Sequence, residues 1–102
     1  MGGNDCPSCR GELVDDTTNN KWIITLVTPD AVASGLDPDE FAIDVTMSGG
    51  SHQQGLSSNS GSSSGGETTY QWTITRPGTP ISGVITMDHG SLGPLQKALS
   101  IS

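Results

Sequence analysis

Several short segments of the chain alternate apolar and polar side chains, and this two-residue period is typical of a half-buried β-strand. The alternation is cleanest in residues 41–47 and 68–75, where one face of each predicted strand is apolar and the other is polar. The apolar faces are made by Phe41, Ile43, Val45 and Met47 in the first segment and by Tyr70, Trp72 and Ile74 in the second.

Three further segments predict strands from β-branched and apolar residues. Residues 21–28 have apolar side chains on both faces, which predicts a strand covered on both sides. Its apolar residues are Trp22, Ile24 and Leu26 on one face and Ile23 and Val27 on the other. Residues 81–87 and 97–102 predict two more strands, and Gly83 within the first of them indicates a bulge or the close approach of another element.

The connection between the predicted strands 68–75 and 81–87 carries a turn signal. Pro77 fixes its own φ angle, and Gly78 tolerates a positive φ angle, which together meet the requirement of a type II turn. We therefore expect these two strands to form a hairpin.

Helix signals are weak and confined to connections. Thr28 is placed to cap a short helical turn that Gly35 would stop, and a second turn is predicted between Ser91 and Ala98, interrupted by Gly93 and Pro94. Both would span one or two turns at most.

These elements predict a mainly β fold: a small antiparallel sheet, sandwich or barrel of five or six strands with one or two short helical turns. The chain has 102 residues, enough for one domain and too few for two hydrophobic cores. We expect residues 1–20 to form a flexible N-terminal segment and residues 21–102 to form a single β domain.

The segment 48–69, SGGSHQQGLSSNSGSSSGGETT, is far longer than the two to five residues that a hairpin loop usually needs. It is composed mainly of Ser and Gly, so a solvated loop is one interpretation, and an arm that becomes ordered against a neighbouring subunit is the other. On the second interpretation the predicted contact residues are Gly49, Ser51, His52, Gln53, Leu56, Ser58, Gly61 and Gly66.

Composition and charge narrow the class of partner. Only 31% of the residues are hydrophobic, which predicts a thin core of the kind that neighbouring chains often complete. Four Lys and Arg residues stand against eleven Asp and Glu, for a net charge of −7, so a nucleic-acid partner is not expected. No apolar run approaches the length of a membrane span, so we expect no membrane partner either.

The strongest local motif is Cys6-Pro7-Ser8-Cys9. Two cysteines at this spacing can supply half of a tetrahedral zinc site, as in a zinc ribbon, but the second pair of ligands is absent from the sequence. The alternatives are a small-loop disulfide, two free thiols in a loose N-terminal tail, which we favour, and a redox-active pair. A redox-active pair would need a strand before Cys6 and a helix after it.

Other clusters of polar residues have ordinary explanations as turns. Asp37 and Asp39 begin like a calcium loop, but Phe41 occupies the next ligand position. Asp88, His89 and Ser91 are too close in sequence to converge as a hydrolytic triad. The sequence therefore predicts no catalytic residues and no cofactor other than the zinc considered above.

The last third of the chain, YQWTITRPGTPISGVITMDHGSLGPLQKALSIS, resembles the C-terminal portion of tail-tube proteins of long-tailed bacteriophages. Those proteins end with a strand, a Pro/Gly turn, a strand that contains a Gly, a variable loop and a final strand. The corresponding parts would be residues 70–75, Pro77 with Gly78, residues 81–87, residues 88–95 and residues 98–102. The family also has a long loop that packs on the adjoining subunit, which would suit the segment 48–69.

The sequence thus favours a non-enzymatic structural subunit that associates with copies of itself or with other assembly subunits. The resemblance implies a phage virion protein of the tail-tube type, and without it we would expect a cytoplasmic location. The alternative function is a small zinc-binding module that uses Cys6 and Cys9.

Overall fold

The computed structural model describes residues 4–37, 40–48, 50–55 and 62–102, with the backbone alone described for residue 4 and residues 50–55. The described chain is mainly β, with one short helix, α1 (Asp30–Ala33). Its strands are β1 (Asn4–Asp5), β2 (Arg10–Asp16), β3 (Lys21–Pro29), β4 (Ala42–Met47), β5 (Gly50–Gly55), β6 (Ser62–Ser64), β7 (Glu67–Thr75), β8 (Pro80–His89), β9 (Gly93–Ala98) and β10 (Ser100–Ile101).

The strands form two five-stranded sheets that do not close into a barrel. One sheet has the order β1-β9-β8-β4-β5, and the other has the order β10-β2-β3-β7-β6. The pairs β1 with β9 and β10 with β2 are parallel, and all the other pairs are antiparallel. The orders β2-β3-β7-β6 and β9-β8-β4-β5 follow the strand order of immunoglobulin-type sandwiches. The prediction of a mainly β, sandwich-like fold is confirmed.

The core lies between the sheets and uses the alternation seen in the sequence. The predicted inward faces of the segments 21–28, 41–47 and 68–75 are buried, apart from the partly buried Met47 and Ile74 near the strand ends. Phe41 packs against the opposite sheet. The centroid of its ring lies 5.0 Å from that of Tyr70, in an edge-on arrangement, and 5.5 Å from that of Trp72. Burial raises the pKa of the Tyr70 hydroxyl.

The N-terminal segment is not the flexible tail that we predicted. Residues 10–16 form β2, which pairs with β3 along its whole length and with β10 on its other side. Leu13 is fully buried, opposite Ile24 of β3 and Ile101 of β10. Because most of its neighbours in sequence are charged or are Gly, the local pattern gave too little signal to predict a strand.

The hairpin predicted at Pro77-Gly78 is also wrong. Strand β7 belongs to one sheet and β8 to the other, so the segment between them crosses the sandwich. The described glycines with a positive φ angle are Gly65, Gly66 and Gly93, and Gly78 is not among them. The crossing segment is held instead by Arg76, whose backbone N–H donates to the Asn20 carbonyl at 2.9 Å.

The helical predictions are half correct. The first short helix exists, but Thr28 does not cap it: its hydroxyl is buried and donates to the Thr68 carbonyl at 3.4 Å, while Pro29 stands at the cap position. The second predicted turn is strand β9, in which Leu95 is buried opposite Met87 of β8. Pairing with β8 determines the structure of this segment, whose helical signal was weak and already interrupted by Gly93 and Pro94.

Two further differences concern the sheet edges. The described residues contain ten strands rather than five or six, because five strands had too little apolar alternation to be predicted: β1, β2, β5, β6 and β9. The segment predicted as one loop, 48–69, contains β5, β6 and the start of β7. Gly83 meets its prediction of a close approach, since a Cβ there would lie 2.8 Å from Leu99 Cδ1.

Candidate functional site on the open side of the sandwich

One side of the sandwich is closed by the two ends of the chain. Strand β1 passes to β2 through the turn Cys6–Cys9, and β9 passes to β10 through Leu99, so both chain ends change sheets at the same place. The backbones come close there: a Cβ on Gly11 would lie 3.0 Å from the Ala98 carbonyl oxygen. Strands β1 and β10 cover part of the edges of β9 and β2. We call this the closed side.

The opposite side of the sandwich ends in two free edges, and we call it the open side. Strand β5 is the last strand of one sheet and pairs with β4 alone, and β6 is the last strand of the other sheet and pairs with β7 alone. These statements concern the described residues. A free edge presents a row of backbone N–H and C=O groups that can pair with another strand.

The sequence of β5 has none of the features that usually protect an edge strand. Soluble proteins guard such edges with charged residues, above all Lys, with Pro, with bulges or with very short strands. Residues 50–55 read GSHQQG, with no charged residue at neutral pH and no Pro. Strand β5 pairs with β4 over six residues in continuous register, from Ala42 with Gly55 to Met47 with Gly50. This edge is therefore long, regular and unguarded.

The predicted contact residues fall on the open side as far as they can be placed. Ser51, His52 and Gln53 lie in β5, in register with Thr46, Val45 and Asp44 of β4 respectively. Gly66 lies in the turn between β6 and β7 with a φ of 84°, which explains the glycine. The others, Gly49, Leu56, Ser58 and Gly61, lie outside the described residues.

Strand β6 is fixed to the rest of the fold through hydroxyl groups. The Thr68 hydroxyl donates to Asp30 Oδ1 at 2.8 Å and lies 3.1 Å from the Ser63 hydroxyl. The backbone N–H of Asp30 donates to the Gly66 carbonyl at 2.9 Å. This network joins α1, β6 and β7, so the short edge strand has a defined position beside the helix.

The two cysteines lie on the closed side and form a disulfide. Cys6 and Cys9 are bonded to each other and are both buried, with exposed fractions of 4% and 2%. The Cys6 backbone N–H donates to the Gln96 carbonyl at 3.0 Å, which ties the turn to β9. The favoured prediction of free thiols in a loose tail is therefore wrong, because this segment is part of the core. Sulfurs bonded in this way have no thiolate to offer zinc.

A polar cleft of about 640 Å³ opens on the closed side where the sheets meet. Charged side chains of both signs line it, among them Asp5, Arg10, Glu12 and Lys97. Arg10 also forms an exposed ion pair with Glu67 at 3.3 Å. Within the described residues, no group of three or more His, Cys, Asp or Glu side chains is placed to hold a metal ion.

The cluster Asp88, His89 and Ser91 belongs to the connection between β8 and β9. His89 is buried, and its Nδ1 accepts the backbone N–H groups of Ser91 at 3.1 Å and Leu92 at 3.0 Å. Because these two backbone N–H groups already occupy the acceptor site of Nδ1, that nitrogen is not free to take a proton from the Ser91 hydroxyl. The ring thus shapes this connection, as the turn interpretation predicts.

The main electrostatic feature of the fold is the ion pair between Asp15 and Arg76. Arg76 contacts both carboxylate oxygens, at 2.6 and 3.0 Å, and Trp22 Nε1 donates to the same carboxylate at 3.2 Å. The Arg76 guanidinium is the largest cause that lowers the pKa of Asp15 below its ordinary value of 3.8. The pair fixes the segment that crosses from β7 to β8. Its two residues are far apart in the sequence, which gives no local signal for it.

We expect Asp15→Asn to lower the free energy of unfolding by about 1 to 2 kcal/mol at neutral pH. A lowered pKa in the folded state means that the ionised carboxylate stabilises the fold above the ordinary pKa, and this contribution is lost as the pH falls below 3.8. The difference between wild type and variant should therefore shrink in acid. Urea unfolding across this pH range measures it. An equal difference at all pH values, or additive effects of Asp15→Asn and Arg76→Gln, would contradict the assignment.

We expect the double substitution Cys6→Ser with Cys9→Ser to destabilise the fold by about 2 kcal/mol, the value for closing such a small loop. The reason is that the disulfide restricts the unfolded chain where it must cross between the sheets. Thermal unfolding with and without a reductant measures the effect. The reductant should destabilise the wild type and leave the double variant unchanged. A wild type indifferent to reduction under conditions that leave two titratable thiols would refute this prediction.

Comparisons with known proteins found no match: no family model, no curated protein and no solved structure is similar to this chain at a significant level. Among the described residues, the search for helices with the length and apolar character of a membrane span found none.

Proposed function

We propose that this chain is a non-enzymatic structural subunit that associates with other copies of itself through the open side of the sandwich. The observation that carries the proposal is the contrast between the two sides. The end strands of the closed side, β1 and β10, have two residues each, whereas β5 on the open side pairs with β4 over six residues and has no second partner among the described residues.

The composition supports this proposal. Strands β5 and β6 end the sheets on the open side, and their sequences, GSHQQG and SSS, have no apolar side chain to add to the core of one chain. A small domain with a limited core gains stability when a neighbour covers its free edges. The unguarded edge of β5 supports the proposal, because soluble proteins usually protect an exposed edge strand against pairing with another chain.

The more specific form of the proposal is a virion protein of the phage tail-tube type. It rests on the resemblance of residues 70–102 to the ends of those proteins and on the long segment between β4 and β7. The test of this form is electron microscopy of the purified protein at high concentration, in which rings or tubes are expected. Compact particles without a central opening would count against it.

The disulfide bears on the location that we propose. Disulfides persist in oxidising surroundings, such as outside the cell or on the surface of a virion, and are rare in the cytosol. The bond between Cys6 and Cys9 therefore favours a protein that works outside the reducing cytoplasm, in place of the cytoplasmic location expected without the resemblance.

The general proposal is tested by sedimentation velocity over a wide range of protein concentration. We expect the weight-average sedimentation coefficient to rise with concentration as copies associate. Because each chain has a net charge of −7, added salt should strengthen the association by screening the repulsion. A protein that remains a monomer at millimolar concentration and at high salt would overturn the proposal.

A further inference from the structure

We propose that the association joins two copies open side to open side, with β5 of one copy paired antiparallel with β5 of the other. This inference rests on the proposed function and specifies its partner and geometry. The product would be a dimer with two-fold symmetry, in which the two sheets that contain β5 become one continuous sheet.

The symmetry follows from the position of the free edges. A ring or filament requires two different surfaces on each subunit, one that meets the preceding copy and one that meets the next. In the described chain, the free edges of β5 and β6 lie on the same side, and the strands that end the sheets on the opposite side, β1 and β10, have two residues each. Only the open side therefore offers a longer edge for pairing, and a surface that pairs with itself has two-fold symmetry.

The length of the edges selects β5 over β6. Strand β5 has six residues in continuous register with β4, whereas β6 has three residues. Two β5 edges match in length, while a β5 edge opposite a β6 edge would leave half of its backbone groups without a partner. A two-fold axis between two copies of one strand makes the strands antiparallel, which is the more stable pairing.

The charges near β5 determine how salt affects the dimer. Residues 50–55 carry no charged side chain at neutral pH, so the pairing itself does not place like charges opposite each other. The acidic residue paired with β5 is Asp44, which is exposed on β4 in register with Gln53. Repulsion then comes from the net charge of the two chains and falls with ionic strength.

This geometry also constrains the tail-tube form of the proposed function. An association that pairs the β5 edge with itself closes at two copies, because the β5 edge of each copy is then occupied. A tube would then need a second contact surface elsewhere on the chain, such as the outer face of a sheet.

The test combines charge substitution with amide hydrogen exchange on the full chain. Ser51→Lys with Gln53→Lys places the usual guard residue on the β5 edge, at positions in register with the exposed Thr46 and Asp44. The matched control is Thr25→Lys with Thr86→Lys, which makes the same charge change at outward-facing positions of β3 and β8 that are paired with a neighbouring strand on both sides.

We expect the β5 variant to weaken dimerisation by at least about tenfold and the control in β3 and β8 to dimerise as well as the wild type or better, since it also reduces the net negative charge. Hydrogen exchange of the wild type should show protection of the amides of residues 50–55 that increases with concentration, with no such change at residues 62–64.

Each outcome separates this inference from the proposed function. A dimer that survives the β5 substitutions overturns the β5 pairing and leaves the structural role intact. Protection of both β5 and β6 with growth beyond a dimer overturns the two-fold geometry in favour of a larger assembly. A chain that is monomeric in all conditions overturns the inference and the proposed function together.

Discussion

Replacing Phe41 by alanine should lower the free energy of unfolding by about 4 kcal/mol, a large part of the 5 to 15 kcal/mol typical of a domain. Phe41 is 1% exposed, and its ring contacts Tyr70 and Trp72 of the opposite sheet. Its removal would leave a cavity between the sheets and end two aromatic contacts, in a core that has few large side chains to close the gap. Urea unfolding followed by tryptophan fluorescence measures the loss.

The matched control for Phe41 is Ile81→Ala, since Ile81 is also a large apolar side chain but is 63% exposed. We expect this control to change stability by less than about 0.5 kcal/mol. Phe41→Leu should cost less than Phe41→Ala because leucine fills part of the space. If Phe41→Ala were no more harmful than Ile81→Ala, Phe41 would not be the link between the sheets.

The second large effect is expected for Gly35→Ala, at about 3 kcal/mol. Gly35 lies against the buried imidazole ring of His89, and the Cβ of an alanine would overlap ring atoms. The ring cannot move away without breaking the bonds that its Nδ1 accepts from Ser91 and Leu92. Thermal or urea unfolding at neutral pH measures the destabilisation.

Gly90→Ala is the control for Gly35→Ala. A Cβ on Gly90 would meet only the Gly35 carbonyl oxygen at an ordinary 3.9 Å, so a small effect is expected. Combining Gly35→Ala with His89→Ala removes the overlapping ring, and the double variant should be more stable than the sum of the single effects predicts. Additive effects would show that the ring is not the obstacle.

Both predictions concern contacts of buried side chains, the Phe41 ring against the opposite sheet and the His89 ring against Gly35, and the proposed assembly depends on a well-packed sandwich. The open side presents two edges together only because the sheets are held face to face by the core. A variant that loosens the core should therefore weaken self-association as well as folding, whereas the lysine substitutions in β5 should weaken association alone.

The candidate site was only partly predictable from the sequence. The segment 48–69 is longer than an ordinary hairpin loop and is rich in Ser and Gly, which indicated a functional segment. Three of its predicted contact residues, Ser51, His52 and Gln53, lie on the β5 edge. The strand itself was missed because GSHQQG has no apolar alternation. Its extended form comes from pairing with β4, which the sequence of β5 alone does not encode.

The closed side was missed for a related reason. The spacing of Cys6 and Cys9 allowed several states. The disulfide that forms was one of them, but the favoured prediction was a loose tail with two free thiols, which is wrong. Strand β2 has one fully buried residue, Leu13, among charged neighbours, and its partners Ile24 and Ile101 are distant in sequence. Local periodicity does not detect a strand that depends on such partners.

The sequence by itself determined which segments are strands with an apolar face, because side chains on a strand alternate regardless of its neighbours. It thereby determined the mainly β class and the inward faces around Phe41, Trp22 and Tyr70. Only the tertiary structure decided which strands are neighbours, that the segment after β7 crosses between sheets, and that two free edges share one side. Strand neighbours are chosen by backbone hydrogen bonds, which are common to all residues, and by contacts between distant parts of the chain.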